Sequence, residues 1–416
     1  MFKSYLPIEY LCIDIANAFG LDKELFEDRI QWVKDHVNEL EELLDEVSED
    51  KCAYIKAVLA LRAVQRGEDT GHLISLDATN SGIQIMSAIT GCRKGAEITN
   101  LLPINKRYDG YGEITNEMNA IFKSRGADEI KIPRKDAKDA VMTSGYGSRA
   151  TPKEIFGEGE TLEVFYEACF NKAEGAFTLM DILINAWQPF ALAHSWVLPD
   201  GFVTNIKVME KKEVRIEVDE LNHATFTTYI KENEGSKRGV SLVANTIHSI
   251  DAYLLRNIIR RCNYNPKMIK NKLSILKRTQ ELRDRNELTK EEATGRLAEH
   301  LEVTDAMHLI DTSILPLVTA KTANQLDDWH IATLIRILTK MLEFRPCQVL
   351  TVHDAFRCHP NHGDTVRYWY KEIMAELAES EILNCILWQI TGTNPNYAKL
   401  DPNLANDIRQ ANYPIC

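Results

Sequence analysis

Between residues 22 and 50, apolar side chains fall at Ile30, Val33, Val37, Leu40, Leu44 and Val47. Steps of three and four return to one side of a helix, so this pattern predicts an amphipathic helix with a packed stripe under a solvated face. Leu73, Ile74 and Leu76 form a short apolar run that predicts a strand, followed by the turn Ala-Thr-Asn-Ser-Gly and a helical run from Ile83 to Ile89. Gln348 to Val352 predict another strand, and His353-Asp354 a tight turn after it. From Asn205 to Val218 apolar residues alternate around Glu210-Lys211-Lys212, the pattern of a β-hairpin. Pro133 suits the first position of a helix that Gly145 and Gly147 end. The apolar stretch 182–193 is interrupted by Asn185, Gln188 and Pro189, well short of the roughly 20 residues a membrane helix needs, so no membrane association is expected.

Composition narrows the class. With 416 residues, 44% hydrophobic and 26% charged, the chain can bury a large core over several domains and is not disordered, collagenous or disulfide-stapled. Its nine cysteines show no CxxC pair, and its first residues lack a basic start followed by a long apolar run. A cytoplasmic protein with reduced thiols is expected. The net charge of −12 speaks against a uniformly basic nucleic-acid surface, yet the charge is uneven. Residues 22–50 carry a local charge of −9, taken to face away from any nucleic acid, whereas 256–285 carry +8. The latter segment, with Arg256, Arg260, Arg261, Lys267, Lys270 and Lys272 around Tyr264, suits a phosphate backbone with occasional stacking, and equally a helix pair with ordinary exposed bases. A weaker basic segment, 123–153, sets eight bases against four acids, one of them Asp128.

Three constellations carry candidate chemistry. Asp77 ends the first strand, where a rigid backbone fixes its oxygens and the turn offers a carbonyl for a hard cation; such an Asp also serves as a turn or capping residue. In 133–147, Arg134, Lys138, Val141, Met142, Gly145 and Tyr146 share one helix face, suited to gripping a triphosphate and gating a base or sugar; alone, the stretch reads as an exposed basic helix with Tyr146 as core filler. His353-Asp354 places a second carboxylate at a strand end. If the two strands share a sheet, the carboxylates can bridge two Mg²⁺ ions for phosphoryl transfer.

The order DxxxSGIQ, RxxxKxxxxxxxYG and HDxF resembles motifs A, B and C of the single-subunit RNA polymerases of phages and mitochondria. Further segments fit: DGYG at 109–112 resembles the family's YG element, VLPDGF at 197–202 its TPxGF strand, TIHSID at 246–251 its HSxD element, and residues 403–416 its C-terminal foot. The resemblance implies an α+β, helix-rich right-hand fold of palm and fingers, with thumb and N-terminal domain largely absent. It implies a DNA-directed RNA polymerase using two Mg²⁺ ions, with Asp77, Asp354 and the Ala78 carbonyl as metal ligands. Arg134 and Lys138 would hold the triphosphate, and Lys138 would protonate the leaving pyrophosphate. Tyr146 would sense the ribose 2′-hydroxyl, Gly82 leave room for it, His353 position the primer end or nucleotide, and His248 lie near the active-site minor groove. SGIQ lacks the Glu with which A-family DNA polymerases block that hydroxyl, which favours ribonucleotides.

The implied division is 1–70 a partner-contacting helical segment, 71–100 palm with motif A, 101–190 fingers, 191–262 palm and specificity-type hairpin, 263–330 a basic helical insertion, and 331–416 palm with motif C and foot. The family's TxxGR element does not occur in residues 1–76. A second, smaller subunit is therefore expected to carry it, as in the split, heterodimeric polymerases of enquatrovirus-type phages. DNA template, RNA product, NTPs and a single-stranded-DNA-binding helper complete the expected partners, in the cytoplasm of a bacterial host. An A-family-like DNA polymerase or primase, and a non-catalytic nucleic-acid-binding subunit, are the alternatives. Cys358, His359 and His362 are spaced too tightly for the usual zinc-ligand pairs, and no zinc site is expected.

Overall fold

The structure, a computed structural model, describes all residues except 1, 49, 128 and 234–238; Asp128, counted above among the acids of the basic segment, thus lies outside the described residues. The chain opens with α1 (Pro7–Ala16), α2 (Phe26–Asp35) and α3 (Lys51–Gln65). The helix expected over 22–50 therefore stops at Asp35 and gives way to turns and a short 3₁₀ segment, Glu42–Glu46. The acids accumulate beyond Asp35, at Glu39, Glu41, Glu42, Asp45 and Glu46, where a continued helix would place them at its negative end. The apolar stripe is still honoured: Ile30, Val33, Leu40 and Val47 are buried, and Tyr54 donates its hydroxyl to the Leu40 carbonyl at 2.8 Å.

Next come β1 (Ile74–Asp77), α4 (Ser81–Thr90), α5 (Arg93–Ile98), α6 (Gly110–Ser124), α7 (Arg134–Ser144), α8 (Ala150–Phe156) and the long α9 (Glu160–Asn185). Asn80, at φ 63°, caps α4 by accepting the Ile83 amide. Four strands follow in two antiparallel pairs: β2 (Ala193–Val197) with β3 (Val203–Lys207), and β4 (Glu210–Val218) with β5 (Ala224–Glu232). The hairpin expected to turn at Glu210-Lys211-Lys212 turns instead at 219–223. The Glu-Lys-Lys stretch offers no residue suited to positive φ, whereas Asn222 and His223 adopt φ of 57° and 60° there. VLPDGF is the tight turn between β2 and β3, with Gly201 at φ +77° and its amide bonded to the Leu198 carbonyl.

The remainder is α10 (Val240–Cys262), α11 (Pro266–Asp284), α12 (Gly295–Met307), α13 (Asp328–Glu343), β6 (Leu350–Val352), β7 (Ala355–Cys358), α14 (Gly363–Glu379), α15 (Ile382–Thr391) and α16 (Leu404–Ile408). Helix α14 is the core: Trp369, Tyr370, Ile373, Met374 and Leu377 are fully buried where it packs on α4, α10 and α16. Burial of each such side chain contributes about 1.5–3 kcal/mol.

The strand of Asp77 and the strand preceding Asp354 share one antiparallel sheet of order β1-β7-β6. Asp77 sits opposite Ala355, and β6 and β7 are joined by the two-residue loop His353-Asp354. The chain's last residues complete this sheet. Ala78 bridges Ile415, the Asp77 amide donates to the Cys416 carbonyl at 3.2 Å, and the Cys416 amide donates back at 2.9 Å. Buried Gln84 locks the arrangement, donating to the Thr99 and Pro414 carbonyls and accepting from the Tyr370 hydroxyl at 2.5 Å.

Candidate active site

Asp77 leaves the end of β1 and Asp354 the β6–β7 turn, on adjacent strands, and the Ala78 amide donates to the Asp354 carbonyl at 3.3 Å. His353, the first loop residue, has φ 55°, the position at which a two-residue hairpin turn usually takes glycine. Its exposed ring is thereby turned out beside the carboxylates. Loss of hydration in the cleft and the neighbouring Asp354 charge raise the Asp77 carboxyl above its ordinary value, although Asp77 itself stays accessible. Asp251 of α10 is pushed up to about 6, first by burial and then by Asp354, with His353 opposing. Carboxylates held this close call for a compensating cation. The donor set of Asp77, Asp354 and the Ala78 carbonyl, all hard oxygens, suits Mg²⁺; that carbonyl also accepts the Asn80 amide at 3.0 Å and keeps a second lone pair.

Asp251 closes the HSxD-type element and lies about one helical turn after His248, which puts both on one side of α10. In metal-free protein, Asp251→Asn is expected to stabilise the fold at pH 7.5. The gain should shrink as pH falls through about 6, because the wild type then takes up the proton that burial favours. Thermal melts in EDTA at pH 7.5 and 5 measure this, and an equal gain at both values contradicts it.

Facing the carboxylates is the end of α7. Pro133 is the N-cap rather than the first helical residue. The Tyr146 ring stacks on His248 at 4.8 Å between centroids and 13° between planes, and a Cβ on Gly82 would stand 3.1 Å from the Tyr146 hydroxyl. Tyr146, Gly82, Ser81, Tyr111, Met142 and Asp354 line one cleft of about 150 Å³. Burial, with the Asp251 and Asp354 charges, raises the Tyr146 phenol above its ordinary value, so it stays protonated and able to donate. Burial likewise pushes Tyr111 up to about 12.

The two cations of α7 differ. Lys138 is half-buried and has no ion pair among the described residues. Arg134 is clamped by Asp109, the N-cap of α6, with Nη2 on Oδ1 at 2.8 Å and Nε on Oδ2, over the face of Tyr111. Asp109 and Tyr111 belong to DGYG, so that element holds Arg134 as well as lining the cleft.

The +8 segment divides. Arg261 is fully buried on Glu376, with Nη2–Oε2 at 2.6 Å. Arg256 and Arg260 hold Asp200 of the VLPDGF turn, and Arg260 also holds Asp311. Lys272 donates to the Val318 carbonyl at 2.6 Å. These four side chains serve the fold in this structure, which corrects the reading of them as a phosphate-binding row. Lys267 and Lys270 stay exposed on α11 with Lys277 and Arg278. Of the cramped CHxxH cluster, Cys358 is buried in β7 and His359 faces the Thr70 carbonyl at 3.0 Å.

Residues 6–154 match the sequence profile described as DNA-dependent RNA polymerase, a span that contains Asp77, Arg134, Lys138 and Tyr146 but ends before the His353-Asp354 turn. The chain is 34% identical over 170 residues to the DNA-directed RNA polymerase of Pseudomonas phage phiKMV, covering 33% of this chain and 21% of the phage protein. It is 27% identical over 169 residues to a probable DNA-directed RNA polymerase of Neurospora crassa (37% and 19%). It is also 27% identical over 162 residues to the mitochondrial DNA-directed RNA polymerase of Schizosaccharomyces pombe (34% and 14%). The chain thus spans about a fifth or less of the length of these relatives.

Proposed function

From the premise that this chain is a relative of the phage- and mitochondrial-type DNA-dependent RNA polymerases, we propose that it is the catalytic chain of such a polymerase. It carries palm and fingers and joins an RNA 3′-hydroxyl to the α-phosphate of a template-selected NTP. The observation that supports this best is the convergence of Asp77 and Asp354, far apart in sequence, at the ends of neighbouring strands, with Tyr146 of α7 lining the same cleft as Asp354. Asp77, Asp354 and the Ala78 carbonyl would hold Mg²⁺, as two ions, which would supply activation of the attacking hydroxyl and neutralisation of charge on the leaving pyrophosphate. Lys138 carries a proton to the leaving group, and Arg134 releases Asp109 to take the triphosphate. His353 aligns the primer end or the nucleotide. Residues 71–100 with 191–262 and 331–416 form the palm, 101–190 the fingers, and the α11 lysines Lys267 and Lys270 contact nucleic acid.

Ribose choice rests on Tyr146. Wedged between Gly82 and His248, its hydroxyl is poised to sense a 2′-hydroxyl. Tyr146→Phe is expected to cut rNTP-over-dNTP discrimination roughly tenfold, the worth of one hydrogen bond in a dry site, with rNTP addition retained. Single-nucleotide extension with rNTPs and dNTPs supplied separately measures it, and unchanged discrimination contradicts the role. Preference of the wild type for dNTPs would instead favour the A-family alternative.

A second, smaller chain carrying a TxxGR element is proposed as a partner. Leu6, Ile8 and Leu59, exposed on the N-terminal helices, are its candidate contacts. Copurification from the native source tests this, and full promoter-independent activity of the single chain contradicts it.

A further inference from the structure

Arg134 and Asp109 stand at the starts of two helices, Arg134 as the first residue of α7 and Asp109 as the N-cap of α6. The positive end of a helix favours an anion and disfavours a cation, so a guanidinium at the start of α7 calls for an anion beside it. Asp109 supplies one. Its two carboxylate oxygens accept side by side from Nε and Nη2 of Arg134, the latter at 2.8 Å. The guanidinium lies 5.9 Å from the centre of the Tyr111 ring, and Tyr111 lines the cleft shared by Asp354 and Tyr146. The local sequence leaves room for this contact, since a Cβ on Gly112 would stand 2.9 Å from Asp109 Oδ2. The preceding loop is held too: the buried Asn100 side chain accepts the Tyr108 amide at 2.8 Å and donates to the Tyr108 carbonyl at 3.0 Å.

This pair is open to exchange. Of the Arg134 side chain 40% is exposed, and of the Asp109 side chain 28%. An ion pair so accessible to water is weakly held, and a polyphosphate brings more negative charge than one carboxylate. Arg134 also shares the α7 face whose later residues Val141, Met142, Gly145 and Tyr146 line the cleft. A phosphate chain leaving the cleft along α7 therefore meets an arginine whose charge Asp109 already offsets.

We propose that Asp109 is a built-in competitor for Arg134: it lowers the affinity of the site for the phosphates of an NTP and, by taking the guanidinium back, promotes departure of pyrophosphate. This rests on the polymerase reading. Asp109→Asn keeps a side chain that caps a helix equally well and removes the charge. The test compares wild type, Asp109→Asn, Arg134→Gln and the double variant, each checked for folding by circular dichroism. In calorimetric titration with inorganic tripolyphosphate or pyrophosphate and Mg²⁺, without template, Asp109→Asn is expected to bind each roughly fivefold more tightly. In the Arg134→Gln background the same substitution is expected to change affinity by less than about twofold. In single-nucleotide extension, Asp109→Asn is expected to lower NTP KM and to strengthen inhibition by pyrophosphate, while kcat changes less. A folded Asp109→Asn protein that binds tripolyphosphate no more tightly than wild type overturns the proposal, as does an equal gain in the Arg134→Gln background, which would make Asp109 a remote charge. If wild type extends no template, the polymerase reading fails, and the tripolyphosphate titrations still decide the case of Asp109.

Discussion

Asp354→Asn is expected to reduce RNA extension by at least about 10³-fold, since loss of a metal-binding carboxylate removes several kcal/mol of transition-state stabilisation. The fold should survive. The bond that ties this residue into the sheet uses its backbone carbonyl, which accepts the Ala78 amide, and its charge raises the carboxyls of both Asp77 and Asp251. Neutralising it relieves that repulsion, so the metal-free variant should melt no lower than wild type. Asp77→Asn is expected to behave alike, because its ladder bonds to Cys416 are also made by backbone atoms. Primer extension beside thermal melts separates the two effects: retained extension contradicts the metal assignment, and a collapsed melt contradicts the claim that these side chains are functional rather than structural.

The largest expected loss of stability lies in the buried ion cluster beneath α14. Arg261 has no exposed side-chain surface and is held by both Glu376 oxygens, at 3.0 and 2.6 Å; Arg336 and Arg409 extend the cluster through Glu376, Glu372 and Glu379. Glu376→Gln keeps the shape and removes the charge, leaving Arg261 uncompensated at a cost of about 3–5 kcal/mol. The double change Arg261→Met with Glu376→Leu should recover much of this, because two apolar groups leave no buried charge behind. Urea denaturation measures both. A loss below about 1 kcal/mol for Glu376→Gln would mean that water reaches the pair.

These two sites mark how far the sequence could be read. The Asp77 and Asp354 strand ends were legible because each motif carries its own turn chemistry, and the family resemblance supplied the reason to bring them together. Arg134, Lys138 and Tyr146 were legible as one helix face, but the Asp109 clamp on Arg134 was not, since no local pattern joins a helix cap to an arginine 25 residues away. The basic segment misled for the same reason. The partners of Arg256, Arg260 and Arg261 lie 51 to 115 residues away in sequence, and a local charge sum cannot see them. The acidic helix failed where the dipole outweighed the periodicity, and the β4–β5 hairpin where positive-φ residues rather than alternation fixed the turn.

The central claim is that the carboxylate pair and the α7 face form a ribonucleotide-adding site. Extension of a primed single-stranded DNA template with rNTPs and Mg²⁺, by this chain with and without a copurifying smaller chain, tests it most directly. The account predicts template-dependent RNA growth that EDTA abolishes and that the smaller chain enhances. Template binding without any nucleotide addition, in the presence of both chains, would contradict it.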